Sequence, residues 1–288
     1  MIAMILSALY LQHVIVYFDT AFLIVGGMLG LIIAVRGTRS GAWRNPLDLP
    51  RAHVLPALPA DFIVVLFCAI LILALGGWLI SALATRLQDL FPDWQQMLLS
   101  DALVKCGGGA LAAIALYRRS RIIPSALSAP APFPWKVALL AFLITTPLVS
   151  LQLFAEEKIW AWLGGATLPE HEMLRTFLSG EAGELGKIQL IVSATVVSPI
   201  AEELFFRGVL LGALQHLSRR HWIAIAIQGM LFGMMHAAQP QAVLPLATFG
   251  MILGYVAVRT GSIPACILIH MLFNARTMAI AFLAPDMV

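Results

Sequence analysis

The chain has 288 residues, of which 60% are hydrophobic and 11% charged, with a formal net charge of +3. A soluble globular chain carries about 25% charged residues, so a water-soluble domain is excluded, and the small net charge gives no footprint for nucleic acid. Cys68, Cys106 and Cys266 all lie in apolar stretches without CxxC spacing, which indicates neither a disulfide framework nor a cysteine zinc site.

Apolar windows between charged or Pro/Gly-rich breaks predict an all-α membrane bundle of about eight transmembrane helices. They fall at roughly 14–35, 61–84, 98–117, 136–155, 188–217, 222–238, 241–258 and 263–283. The N-terminus lacks a basic n-region, and its apolar stretch runs past Asp19 to Val35 without a small-residue cleavage pattern. That reads as a retained first span, not a signal peptide. The stretch Phe62–Ala84 carries no charge at all, and about 20 such residues cross a bilayer. The fifth window is longer than one crossing needs and contains Pro199, so a tilt or kink is expected there. The sixth and seventh are short and joined by Ala238-Gln239-Pro240-Gln241.

Basic residues alternate with this count. Arg36, Arg39, Arg44, Arg51, Arg118, Arg119, Arg121, Lys136, Arg219, Arg220 and Arg259 lie in odd-numbered loops, eleven of the 18 Lys and Arg residues. Even-numbered loops hold only Arg86, Lys158, Arg175 and Lys187, among many acids such as Glu156, Glu157, Glu170, Glu172, Glu181 and Glu184. Odd loops are therefore expected in the cytoplasm and both termini outside it. Residues 1–187 are read as N-terminal spans with an extracytoplasmic polar loop near 156–187. Residues 188–288 are read as a motif-bearing catalytic core, the two forming one integrated membrane domain. Within the polar loop, Trp160 and Trp162 suit an interface, and either a short surface helix or a plain connection fits. The proline-rich stretch Pro124–Pro134 reads as a stiff cytoplasmic linker.

An ionisable group at the centre of a span costs about 2.5–3.5 kcal/mol on insertion scales and so usually faces the bundle interior. In the first four spans Asp101 and Lys105 stand four apart and can pair, and Asp19, near a span end, can reach water. The later spans differ. In Ser198-Pro199-Ile200-Ala201-Glu202-Glu203-Leu204-Phe205-Phe206-Arg207-Gly208, Glu203 and Arg207 share a helical face and can pair. Glu202 points about 100° away and lacks that partner. Phe232 and His236 follow one turn apart in the sixth span, and His270 and Asn274 in the eighth. Taken singly these groups are interhelical glue; together, on three spans, they can form one polar pocket with the parts of a hydrolase. Glu202, once desolvated, can take a proton from water, His236 can position that water, and His270 and Asn274 can donate to an oxyanion.

The ordered patterns Glu202-Glu203-x-x-x-Arg207, Phe232-x-x-x-His236 and His270-x-x-x-Asn274 resemble the motifs of the CAAX prenyl protease and bacteriocin-processing superfamily, and in particular its type II CAAX prenyl endopeptidases. Phe206-Arg207-Gly208, Gly254-Tyr255 and Arg259-Thr260-Gly261-Ser262 agree with it, over about 190–280. The resemblance implies an intramembrane endopeptidase acting on a peptide or protein, lipidated or otherwise membrane-associated. It makes Glu202 the general base with Glu203, Arg207 and Phe232 in support, His236 a water-activating group, and His270 and Asn274 the oxyanion site. Zn2+ on Glu202, His236 and His270 and a metal-free glutamate mechanism both remain open, since no HExxH spacing is present. The alternative reading is a non-catalytic relative that binds peptides or confers bacteriocin immunity. A transporter would show inverted repeats, and none is legible. The absence of long appendages points to a bacterial inner membrane.

Overall fold

A computed structural model describes residues 2–39, 55, 57–84, 93–122, 133–163 and 172–283. Every element among them is helical, as a chain crossing hydrocarbon requires: with no water present, backbone groups must be satisfied within the segment. The helices are α1 (Ile2–Arg39), α2 (Pro59–Ala84), α3 (Asp93–Ile122), α4 (Trp135–Trp162), α5 (Glu172–Ser179), α6 (Gly183–Ser218), α7 (His221–Met234), α8 (Pro240–Thr260) and α9 (Ile263–Leu283). Seven of these are long and apolar enough to cross a membrane, which makes the chain an all-α polytopic bundle.

The remaining expected span, 222–238, is the 14-residue α7, about 21 Å long at 1.5 Å per residue. Turns follow Met234, and Pro240 opens α8; the residue before a proline disfavours helical backbone, and Gln239 is accordingly non-helical, at φ −123° and ψ 86°. Gly261, at φ 66°, closes α8 in the left-handed conformation that glycine adopts freely. Of the polar segment near 156–187, Glu156 to Trp162 continue α4, and α5 and the start of α6 follow. Trp162 is 83% exposed at the end of α4. Arg44, Arg51, Arg86, Glu170 and linker residues 124–132 lie outside the described residues.

Large apolar side chains on α1 and α2, such as Phe18, Phe67 and Trp78, are exposed, as lipid-facing residues are. The buried core lies instead among α6, α7, α8 and α9, around Phe206, Phe232, Phe249, Leu253 and Ile269, with α4 packed across α8, α9 and α1. Lipid supplies no hydrophobic drive between helices, so close approach of small residues must hold them. Gly229 and Gly233 on α7 face α8, where Gly250 and Gly254 stand on the facing surface. A Cβ at Gly233 would collide with the Val243 carbonyl and lie 2.8 Å from the Ala247 nitrogen. On the other side of the bundle, Pro147 removes the N–H that would have met the Leu143 carbonyl. Gly26 of α1 lets that carbonyl come close, because a Cβ there would run into it.

The expected Asp101–Lys105 pair forms, at 2.8 Å. Asp19 departs from expectation. It does not simply reach water but holds Arg276 of α9 in a two-pronged pair, Nε to Oδ1 and Nη2 to Oδ2, both 2.6 Å. A half-buried carboxylate on α1 thus finds its counter-charge on the last span.

Candidate active site

The kink expected near Pro199 takes the form of two widened turns in α6. The Ser198 N–H bonds the Ser193 carbonyl, and the Leu211 N–H bonds the Phe206 carbonyl, each five residues back where an α-helix uses four. Such turns are rare and concentrate at functional sites. Between them lies Ser198–Glu203, the ordinary helical segment that carries both glutamates.

The two acids meet opposite surroundings. Glu203 and Arg207 are fully buried, with Arg207 Nη1 2.8 Å from Glu203 Oε1. The same oxygen accepts from His270 Nδ1, also at 2.8 Å. Arg207 Nη2 reaches the Gly250 carbonyl at 3.3 Å, and its guanidinium lies 4.6 Å from the centre of the Phe232 ring. Phe232 thereby packs against the buried ion pair. Gln228 of α7, also buried, donates to the Gly250 carbonyl at 2.7 Å. Glu203 Oε2, Arg207 Nε and Gln228 Oε1 are buried without a hydrogen-bond partner, so the network can still take a further bond. Glu202, one residue earlier, is half-buried and makes no hydrogen bond or ion pair with the described residues.

Both histidines are anchored through Nδ1. His236 lies just beyond α7, with Nδ1 2.9 Å from the Phe232 carbonyl. A carbonyl only accepts, so Nδ1 carries the proton and Nε2 presents a lone pair. On α9, His270 Nδ1 donates to an oxygen that already accepts from Arg207, and the ring sits edge-on to Phe232 and Phe249 with centroids 5.8 and 5.2 Å away. Its Nε2 is the nitrogen left for chemistry.

Asn274 owes its place to the first widened turn. In that register the Ala194 carbonyl loses Ser198, whose N–H goes to Ser193, and its next candidate donor is Pro199, which has no N–H. Asn274 Nδ2 supplies the missing bond at 2.8 Å, keeping its second N–H and its carbonyl oxygen for other partners.

The structure therefore joins Glu203, Arg207, His270 and Phe232, sets the His236 ring at a tilt against Phe232 with centroids 5.2 Å apart, and ties Asn274 to α6. It forms no direct bond from Glu202 to His236, His270 or Asn274. As for zinc, no three His, Cys, Asp or Glu side chains among the described residues converge as a metal-binding group, so Glu202, His236 and His270 do not fit as a ligand set. Sequence reasoning passed over Gln228 and Arg276. Each is a strongly polar residue inside an apolar span, and that was the available signal. It also missed the Glu203–His270 contact, which joins residues 67 positions apart and has no local trace.

These features define an integral membrane helix bundle with a buried polar centre in its C-terminal third. Residues 184–276 match the family model described as Type II CAAX prenyl endopeptidase Rce1-like. That segment carries Glu202, Glu203, Arg207, Phe232, His236, His270 and Asn274, and the match supports the superfamily resemblance of its motifs. It is also similar to the "Uncharacterized protein YyaK" of Bacillus subtilis (strain 168), 40% identical over 86 residues, which cover 26% of this chain and 29% of that protein. The match spans less than a third of the relative's length. No solved structure matches the chain.

Proposed function

We propose that the chain is an intramembrane endopeptidase that hydrolyses peptide bonds of a lipidated or otherwise membrane-associated protein or peptide. The observation that carries this reading is the contrast at the site. Among the described residues Glu202 has no partner and His236 and His270 keep Nε2 free, while their Nδ1 atoms and the neighbouring Glu203 are held by the protein. Groups tied on one side and open on the other are preorganised for a substrate.

In the proposed reaction Glu202 is the general base and removes a proton from water as the oxygen attacks the scissile carbonyl. His236, with its lone pair on Nε2, accepts a hydrogen bond from that water and orients it. The oxyanion receives hydrogen bonds from the free N–H of Asn274 and from Nε2–H of His270 in its protonated form, for which the Glu203 carboxylate is the counter-charge. The C–N bond then breaks, and the proton held by Glu202 passes to the leaving amine. Since Glu202, His236 and His270 do not fit as a zinc ligand set, no step runs through a metal. With α7 taken as the eighth crossing beside the seven longer helices, the alternation of basic residues supports an orientation with both termini outside the cytoplasm, and the membrane proposed is a bacterial inner membrane.

The test compares purified wild type with Glu202→Ala and His270→Ala on a panel of lipidated and transmembrane peptides, with products read by mass spectrometry. Wild type is expected to cleave at least one peptide and both variants none, with a chelator having no effect. Cleavage that survives both substitutions would sink the assignment. Loss with chelator and recovery with zinc would replace the metal-free step. A wild type that binds but never cuts would favour a non-catalytic peptide-binding or immunity role.

A further inference from the structure

Lys105 and Asp101 of α3 do more than neutralise each other. Besides its 2.8 Å pair with Asp101 Oδ1, Lys105 Nζ donates to Ser198 Oγ at 2.6 Å. Asp101 Oδ2 in turn accepts from Ser193 Oγ at 3.4 Å. Ser193 and Ser198 are the two ends of the first widened turn, the same pair whose backbone carbonyl and N–H close it. One ion pair on a neighbouring helix thus grips both ends of the irregularity. Four residues beyond Lys105, and so on the same face of α3, Gly109 brings that helix close to α6. A Cβ there would stand 3.2 Å from Cα and Cβ of Ala201, the residue before Glu202.

A widened turn left to itself can revert to α-helical register. Reversion would return the Ser198 N–H to the Ala194 carbonyl and displace Asn274. It would also rotate the following residues, Glu202 among them, by up to about 100°. Neither Thr195, whose hydroxyl bonds the Ile191 carbonyl at 2.6 Å within α6, nor α9 grips both ends as α3 does. We propose that Lys105, held by Asp101, is a positioning residue that keeps this turn of α6 in the register at which the Ala194 carbonyl meets Asn274. It touches no substrate and acts through Asn274 and the Glu202 turn, so the inference rests on the reading of Asn274 given above.

The test uses the full chain in detergent or nanodiscs and the peptide of the panel that wild type cleaves fastest. Lys105→Met is expected to lower kcat by about 10–100-fold, the size of effect that a displacement of about 1 Å produces, with KM within about twofold. Lys105→Arg, which keeps the charge and the donor, is expected to restore kcat to within about threefold. In an Asn274→Ala background Lys105→Met is expected to add little, because both changes act on one contact. Ser198→Ala, which removes only the acceptor hydroxyl, serves under the same criteria if Lys105→Met does not fold. Deuterium uptake over residues 193–203 gives a readout independent of turnover: faster with Lys105→Met, restored by Lys105→Arg. Unchanged kcat and uptake, an effect confined to KM, failure of arginine to rescue, or full additivity with Asn274→Ala would each overturn the proposal. An Asn274→Ala variant with wild-type kcat would instead sink the oxyanion reading, whereas a deficient Asn274→Ala beside a normal Lys105→Met sinks only the clamp. If no peptide is cleaved, deuterium uptake alone decides.

Discussion

In the N-terminal half, the carboxylates of Asp19 and Asp101 are tied off, Asp19 to Arg276 and Asp101 to Lys105. In the C-terminal third the pattern is mixed. Glu203 gathers Arg207 and His270 on a single oxygen, while among the described residues Glu202, adjacent in sequence, has no partner and His236 and His270 each keep one nitrogen free. The difference separates two uses of charge in a bilayer. A paired group holds helices together and its cost is offset by its partner; a group left open, beside a rigid network, is available to act. The two halves are not independent, since α3 and α1 each send a charged side chain to α6 or α9. The N-terminal spans brace the site without supplying its reacting groups.

The comparison can be broken at four graded points. Glu203→Gln removes the shared acceptor of a buried pair and leaves Arg207 uncompensated; a loss of about 3–5 kcal/mol is expected, read as a lower thermal midpoint in detergent. Asn274→Ala is expected to lower kcat about 10²–10³-fold, as removal of one oxyanion donor does, and to lower the thermal midpoint modestly, a loss of about 1–3 kcal/mol, because the Ala194 carbonyl loses its donor. Gly233→Val forces α7 away from the Val243 carbonyl and the Ala247 backbone; overpacking of this kind costs about 1–3 kcal/mol, visible as reduced thermal stability and reduced turnover together. Asp19→Asn should change stability by about 1 kcal/mol, because the asparagine keeps one oxygen that can accept from Arg276 and the pair is not fully enclosed, at 17% and 22% exposure, and should leave kcat unaltered. An Asp19→Asn variant that loses activity would place α1 in the site and erase the contrast.

Much of this was legible in the residues themselves. The all-α membrane class follows from composition, and the Glu203–Arg207 pair from i,i+4 spacing. The short gap at Ala238-Gln239-Pro240 announced the α7–α8 turn, although α7 stops earlier, at Met234, than hydropathy suggested. What the sequence concealed is long-range or depends on register. Glu203 meets His270 across helices, Asp19 finds Arg276 at the other end of the chain, and the Ala194 carbonyl is orphaned only because a widened turn points it at Pro199. Hydropathy windows see none of these, since each depends on which turn faces which.

The most direct measurement sets Glu202→Gln beside Glu203→Gln in one purified preparation, recording thermal midpoint and peptide turnover for both. The account predicts that Glu202→Gln keeps the wild-type midpoint and loses about 10²–10⁴-fold in kcat, while Glu203→Gln falls in midpoint. A Glu202→Gln protein that turns over like wild type, or a Glu203→Gln protein as stable as wild type but inactive, would contradict it by moving the chemistry from one carboxyl to its neighbour.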